Sequence, residues 1–157
     1  MPDSAPSGSG RTELPGAVLF ACSQNAVRSP MAAAILRHLA GHRVYVNSAG
    51  VRAGTPDPFV VEVMDEIGID LSSHEPTSIA ELYDTSFDVV VTLSPEAHHQ
   101  AIEMTRTMAV DIEYWPTMDP TVAHGNREQV LETYRACRDG LFQRIKKRFP
   151  LIGAGGV

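Results

Sequence analysis

Ala17-Val-Leu-Phe-Ala-Cys22, running on through Ser23-Gln-Asn-Ala-Val-Arg28 to Ser29-Pro30-Met31, decides how the chain folds. Six consecutive apolar residues match a strand covered on both faces, as in a parallel sheet. Ser29-Pro30 pairs an N-cap residue with proline at a first helical position. Met31, Ile35, Leu36 and Leu39 then keep helical spacing until Gly41 stops the run. The sequence therefore predicts strand, short loop and helix within 25 residues, the opening unit of an α/β sheet.

The same alternation continues downstream. Arg43 to Ser48 alternates as a second strand, and Asp57-Pro58 opens a second helix carrying Val60, Val61, Met64 and Ile67 up to Gly68. Phe87 to Leu93 reads as a third strand, Ser94-Pro95 as the start of a third helix, and Val110 to Tyr114 as a fourth strand. A long helix follows from about Arg127 to Arg148. The expected fold is α/β: a mainly parallel sheet of four strands with helices on both faces. Residues 1–15 lack apolar periodicity and read as a disordered tail, 16–150 as one domain, and the Gly-rich 151–157 as a frayed end.

Composition narrows the function. The 157 residues carry 13 basic and 19 acidic side chains, and 13 − 19 gives a charge of −6. That balance argues against nucleic-acid binding, which needs a basic face. No run approaches a membrane span and residues 1–10 lack the apolar core of a signal peptide, so a reducing cytoplasm is the expected location. Two cysteines, Cys22 and Cys137, are too few for a disulfide framework or a cysteine-rich zinc site. They leave room for one reactive thiol.

Five residues separate Cys22 from Arg28, at the carboxyl end of a strand where open α/β sheets bind ligands. A loop this short can turn the backbone N–H groups of Ser23, Gln24, Asn25, Ala26 and Val27 toward one point, as an anion-binding nest. The following helix adds its own free N–H groups and partial positive charge. Arg28 contributes a planar fork of donors suited to two oxygens of a tetrahedral oxyanion. The same surroundings favour a thiolate, and the Ser29 hydroxyl can donate to it. Asn25 tolerates the left-handed backbone that a tight loop requires. A lone cysteine closing a strand would be an ordinary core residue; with arginine at this spacing the functional reading is the stronger.

Val18 to Ala32 resembles the phosphate loop and first helix of the low-molecular-weight protein tyrosine phosphatases, whose scaffold the related arsenate reductases share. The likeness continues through Asn47-Ser-Ala-Gly50, Val63 to Asp70, Phe87 to Thr92 and Asp119-Pro120, roughly residues 17 to 149. It implies a three-layer, Rossmann-like sandwich and hydrolysis of phosphate monoesters through a phosphocysteine on Cys22. Phosphate or a similar oxyanion is then the ligand, a phosphotyrosine protein the family's default substrate, and no cofactor or metal is expected.

Such a reaction needs an acid for the leaving oxygen, and two Asp-Pro pairs compete. Asp57-Pro58 directly precedes a helical pattern, which accounts for it structurally. Asp119-Pro120 follows the fourth strand and precedes Thr121 to Asn126, which has no apolar period, so it falls in a loop at the carboxyl end of the sheet. The resemblance assigns the acid to the same pair. The catalytic set is therefore Cys22, Arg28 and Asp119, with residues 23–29 binding phosphate.

The sequence departs from the family pattern at several places. Thr121 and Val122 stand where aromatic residues wall the substrate ring, leaving Tyr114 and Trp115 upstream as candidate aromatics or as core residues. Gln24 replaces a glycine, and Ala33 an acidic residue. Thioredoxin-coupled arsenate reductases of this scaffold use two further cysteines near the exit of the third strand. Here that exit carries Ser94, and no cysteine occurs from 23 to 136. A single-cysteine arsenate reductase served by an external thiol or glutaredoxin stays as the alternative, and a non-catalytic anion-sensing module as the second. Cys137 lies on the stripe Tyr134–Cys137–Leu141 and reads as a buried, inert thiol. His98-His99 reads as a solvated helix face, His38, His42, His74 and His124 form no relay, and Ser48 serves the turn beside the loop. Lys146 to Arg148 complements the dipole of the last helix.

Overall fold

The computed structural model describes residues 14–82 and 86–150. Four strands, β1 (Ala17–Cys22), β2 (Tyr45–Gly50), β3 (Val89–Thr92) and β4 (Asp111–Tyr114), form one parallel sheet in the order β2-β1-β3-β4. The helices are α1 (Arg28–Ala40), α2 (Pro58–Asp65), α3 (Pro95–Met104) and α4 (Arg127–Arg148). Parallel strands need crossovers, and here a helix lies between each consecutive pair: α1 between β1 and β2, α2 with a further stretch between β2 and β3, and α3 between β3 and β4. The chain leaves β1 toward β2 on one side and returns to β3 on the other. That reversal puts a crevice at the carboxyl end of β1.

The central position of β1 explains its unbroken apolar run: Val18, Leu19, Phe20 and Ala21 are wholly buried. Alternation along the strand divides them between two cores. Val18, Phe20 and Cys22 belong to the larger cluster with Met31, Ile35 and Leu36 of α1, Val63 of α2 and Leu131 of α4. Leu19 and Ala21 belong to the smaller one with Ala97 and Ala101 of α3. Each fully buried aliphatic side chain contributes about 1.5–3 kcal/mol by leaving water. Leu14, inside the expected tail, packs against the larger core; the remaining tail readings, 1–13 and 151–157, fall outside the described residues.

Local chemistry adjusts several expected boundaries. Helix α1 begins at Arg28 with Val27 at its N-cap and no side-chain cap. Ser29 is not the cap, because its buried hydroxyl faces the sulfur of Cys22 instead. β2 begins at Tyr45 rather than Arg43. Residues Gly41–Arg43 form a 3-10 turn, with Gly41 at φ +60°, and the Arg43 guanidinium donates to the carbonyls of Ala40 and Leu39. Asp57 caps α2 as expected, accepting from Phe59 N and Val60 N, and its other oxygen accepts from the Tyr134 hydroxyl at 2.8 Å. That bond fastens α2 to α4.

Candidate active site

Cys22 is the last residue of β1 and only 2 % exposed. The loop after it turns at Asn25, whose φ of +55° places it in the left-handed region that asparagine tolerates. Among the described residues, no backbone or side-chain acceptor takes the N–H groups of Ser23 to Val27. With α1 uncapped by any side chain, this row of donors continues into the first helical turn. The loop thus holds unspent donors at the positive end of a 13-residue helix.

Ser29 Oγ lies 3.0 Å from Cys22 Sγ and accepts from Asn25 Nδ2 at 2.8 Å. Its single proton is therefore free for the sulfur or for the carbonyl of Ala49 at 3.3 Å. Arg28 is 10 % exposed; its Nη1 donates to the Thr117 carbonyl at 2.9 Å and its Nη2 stands 3.8 Å from Asp119 Oδ2. The Asp119 side chain is 38 % exposed. Its Oδ1 accepts from Thr121 N and Thr121 Oγ1 at 3.0 and 2.8 Å, which leaves Oδ2 as the oxygen facing Arg28. Asp119 also caps a 3-10 turn, Pro120–Val122, so both Asp-Pro pairs have a structural duty. Asp119 alone of the two meets the loop: Cys22, Gln24, Ala26, Val27, Arg28, Asp119 and Thr121 enclose a cavity of about 40 Å³. That is room for about three water-sized groups, the scale of a bare tetrahedral oxyanion.

The loop is held from behind by residues that the sequence left scattered. Asn25 is the hub: Nδ2 also donates to Ser48 Oγ at 2.9 Å, Oδ1 accepts from Thr77 N at 2.9 Å, and its carbonyl meets His74 Nε2 at 2.8 Å. Val51 N, Arg52 N and Gly54 N donate to the carbonyls of Cys22, Ser23 and Gln24, so the chain leaving β2 runs beside the loop. A Cβ at Gly50 would come within 2.7 Å of Asn25 N and Arg52 O, so glycine is required for this approach. On the other side Ser23 Oγ donates to Ser94 Oγ, which caps α3 by accepting from Ala97 N. Arg52 and Glu96 form an exposed ion pair at 2.7 Å. His74, Thr77 and the Thr117 carbonyl had no sequence signal, because their role lies in contacts to backbone or across distant segments.

Several other residues take different places from those expected. Trp115 is buried, edge-on to Phe20 at 6.0 Å, and Tyr114 stacks on His98 at 4.6 Å. Neither lines the small cavity, so no aromatic wall stands there; the core reading holds for Trp115, whereas Tyr114 is exposed at the end of β4. His98 is half-buried, not solvated, with Nδ1 2.9 Å from Thr92 Oγ1. Cys137 is also only half-buried, lining a separate cavity, and burial pushes its thiol up to about 11. No group of three or more potential metal ligands occurs among the described residues. None of their helices is long and apolar enough to cross a membrane.

A thiol at the carboxyl end of the central strand, a row of unspent N–H donors and an arginine form the candidate oxyanion site of this α/β domain. The chain belongs to the low molecular weight phosphotyrosine protein phosphatase family, whose model matches residues 17–149. It is similar to an arsenate reductase of Shouchella clausii, 34 % identical over 131 residues, covering 83 % of this chain and 92 % of that protein. An arsenate reductase of Bacillus subtilis is 32 % identical over 130 residues, with 83 % and 92 % covered. Among solved structures, a low molecular weight protein tyrosine phosphatase from T. tengcongensis superposes with a TM-score of 0.70 at 27 % identity, covering 84 % and 96 % of the two chains. An arsenate reductase in a phosphate binding state gives a TM-score of 0.65 at 27 % identity, covering 84 % and 95 %.

Proposed function

We propose that the protein is a cysteine-dependent phosphate-monoester hydrolase, with phosphotyrosine-type aryl esters as its default substrates. One observation carries this reading: Cys22, Gln24, Ala26 and Val27 of the loop, Arg28 and Asp119 line one oxyanion-sized cavity. In the first step the Cys22 thiolate attacks phosphorus while Arg28 and the N–H groups of residues 23–28 take the equatorial oxygens. Charge developing on those oxygens meets donors already in place. Asp119 Oδ2 protonates the leaving oxygen, and the phosphoryl group remains on sulfur. Asp119 then takes a proton from water, which displaces phosphate and regenerates the thiolate, steadied by the Ser29 hydroxyl.

The second reading, reduction of arsenate, is favoured by the cavity walls: Gln24, Ala26, Val27 and Thr121 offer no aromatic surface for a phenyl ring. The relatives named as arsenate reductases point the same way. Cys22 would attack arsenic with loss of water. An external thiol would then attack the Cys22 sulfur, forming a mixed disulfide while two electrons pass to arsenic and arsenite leaves. A second equivalent of thiol or glutaredoxin would restore Cys22.

One pair of assays separates them: hydrolysis of p-nitrophenyl phosphate, and arsenate reduction with several thiol donors. Hydrolysis is expected, abolished in Cys22→Ser, with Asp119→Asn slowing alkyl phosphates more than p-nitrophenyl phosphate. Reduction without hydrolysis selects the second reading. Phosphate binding without either turnover selects a sensing module.

A further inference from the structure

A second, larger cavity of about 400 Å³ lies beside the Asp119 segment, between residues 115–120 and a largely exposed face of α4. Its volume is in the range of small-molecule sites. Trp115 and Leu141 give it apolar surface, and Ala136 and Gly140, one helical turn apart, open it. Glycine is a poor residue for the interior of a 22-residue helix. Nothing in the packing requires it at 140, because a Cβ there would meet no atom within 4 Å. The notch is therefore open space facing the cavity.

The charge at this cavity is unbalanced. Arg144 lines it, with its guanidinium carbon 4.9 Å from the centre of the Trp115 ring. Among the described residues Arg144 has no carboxylate within ion-pair distance, whereas Arg135, Arg138 and Arg148 on the same helix each have at least one. Apolar walls with one uncompensated cation complement an apolar molecule carrying one negative group. The cavity also borders the oxyanion site. Thr117 lines it while its carbonyl holds Arg28, and Pro120 lines it while following Asp119.

We propose that this cavity is a binding site for a small alicyclic or aromatic monocarboxylate, its ring between Trp115, Leu141 and the Gly140 notch and its carboxylate on Arg144. Such a ligand would rest against the segment that positions Arg28 and Asp119, so it is suited to an effector. The site stands independently of which reaction Cys22 performs.

Trp115 is the chain's one tryptophan, so its fluorescence reports on the cavity directly. The test titrates the full chain with cyclohexanecarboxylate and separately with cyclohexylmethanol, in saturating inorganic phosphate to fill the Cys22 loop. A saturable change with the carboxylate is expected, with weaker binding of the alcohol. Arg144→Gln should weaken the carboxylate about tenfold or more, the loss of one charged hydrogen-bonded pair, and leave the alcohol within about twofold. Gly140→Leu fills the notch and should abolish binding of both; Gly140→Ala, a milder filling, should weaken both. Circular dichroism confirms that each variant is folded. The proposal is overturned by no saturable change with the carboxylate, by loss of the change in phosphate, by equal binding of the alcohol, or by Gly140→Leu binding like the parent.

Discussion

Replacing Asn25 with alanine isolates what holds the loop from Cys22 to Arg28 in shape. The side chain is fully buried and makes three hydrogen bonds, at 2.8, 2.9 and 2.9 Å, to Ser29, Ser48 and Thr77. Alanine strands the Thr77 N–H, which costs about 1–3 kcal/mol, and removes two bonds between neutral groups worth about 1 kcal/mol each. It also places a Cβ without a compensating side chain at φ +55°, which adds roughly 1 kcal/mol. The total is about 4–6 kcal/mol, a large share of the 5–15 kcal/mol typical of a whole domain. Asn25→Gly loses the same bonds without the left-handed penalty, so it should recover about 1 kcal/mol. Urea unfolding followed by circular dichroism gives both values, and titration with inorganic phosphate shows whether the loop still binds. An Asn25→Ala protein within about 1 kcal/mol of the parent, or a glycine variant no more stable than it, would refute the hub assigned to Asn25.

Hydrogen bonds from Arg135 and Arg138 hold the Glu66 carboxyl down at about 2, below its ordinary 4.5. A carboxylate with a lowered folded pKa stabilises fully above its unfolded value, so this contribution should fade as pH falls from about 4.5 toward 2. Glu66→Gln should lower stability at neutral pH and flatten that part of the urea-midpoint profile; an unchanged profile would rule out the linkage. Tyr134→Phe removes the hydroxyl bond to the charged Asp57 and should cost about 1–3 kcal/mol, read by thermal unfolding, with no change counting against the α2–α4 tie. Gly140→Ala should raise stability by about 1 kcal/mol, since the new methyl enters open space in a helix; a destabilised variant would show that the notch is filled.

The parts legible in the sequence were those written in local pattern. The apolar run of β1, the spacing from Cys22 to Arg28 and the Asp57-Pro58 and Ser94-Pro95 helix starts each depend on neighbours within a few residues, and each appears where its pattern puts it. Ser29 shows how a local rule is overridden: serine before proline is a good cap, but the nearby sulfur and Asn25 amide take its hydroxyl. Arg43 is similar, since its guanidinium closes off helix carbonyls and delays β2 to Tyr45. The supports of the loop were hidden for another reason. His74 and Thr77 reach Asn25 across 49 and 52 residues, and one of those contacts uses a backbone N–H that any residue but proline supplies. Trp115 and Tyr114 gave no sign of which way they face, because a weak edge strand sets their orientation.

The order of the contacts along the chain also bears on biosynthesis. Cys22 precedes Ser48, Thr77, Ser94, Thr117 and Asp119, which follow in turn and complete its surroundings. Parallel pairing of β1 with both β2 and β3 is non-local and slow to form. A growing polypeptide therefore carries the Cys22 side chain before the segments that surround it have been made. Translation thus delays the enclosure of Cys22 until the rest of the domain has been made, and a truncated product lacking the segment around Asp119 would carry the cysteine but not its full surroundings.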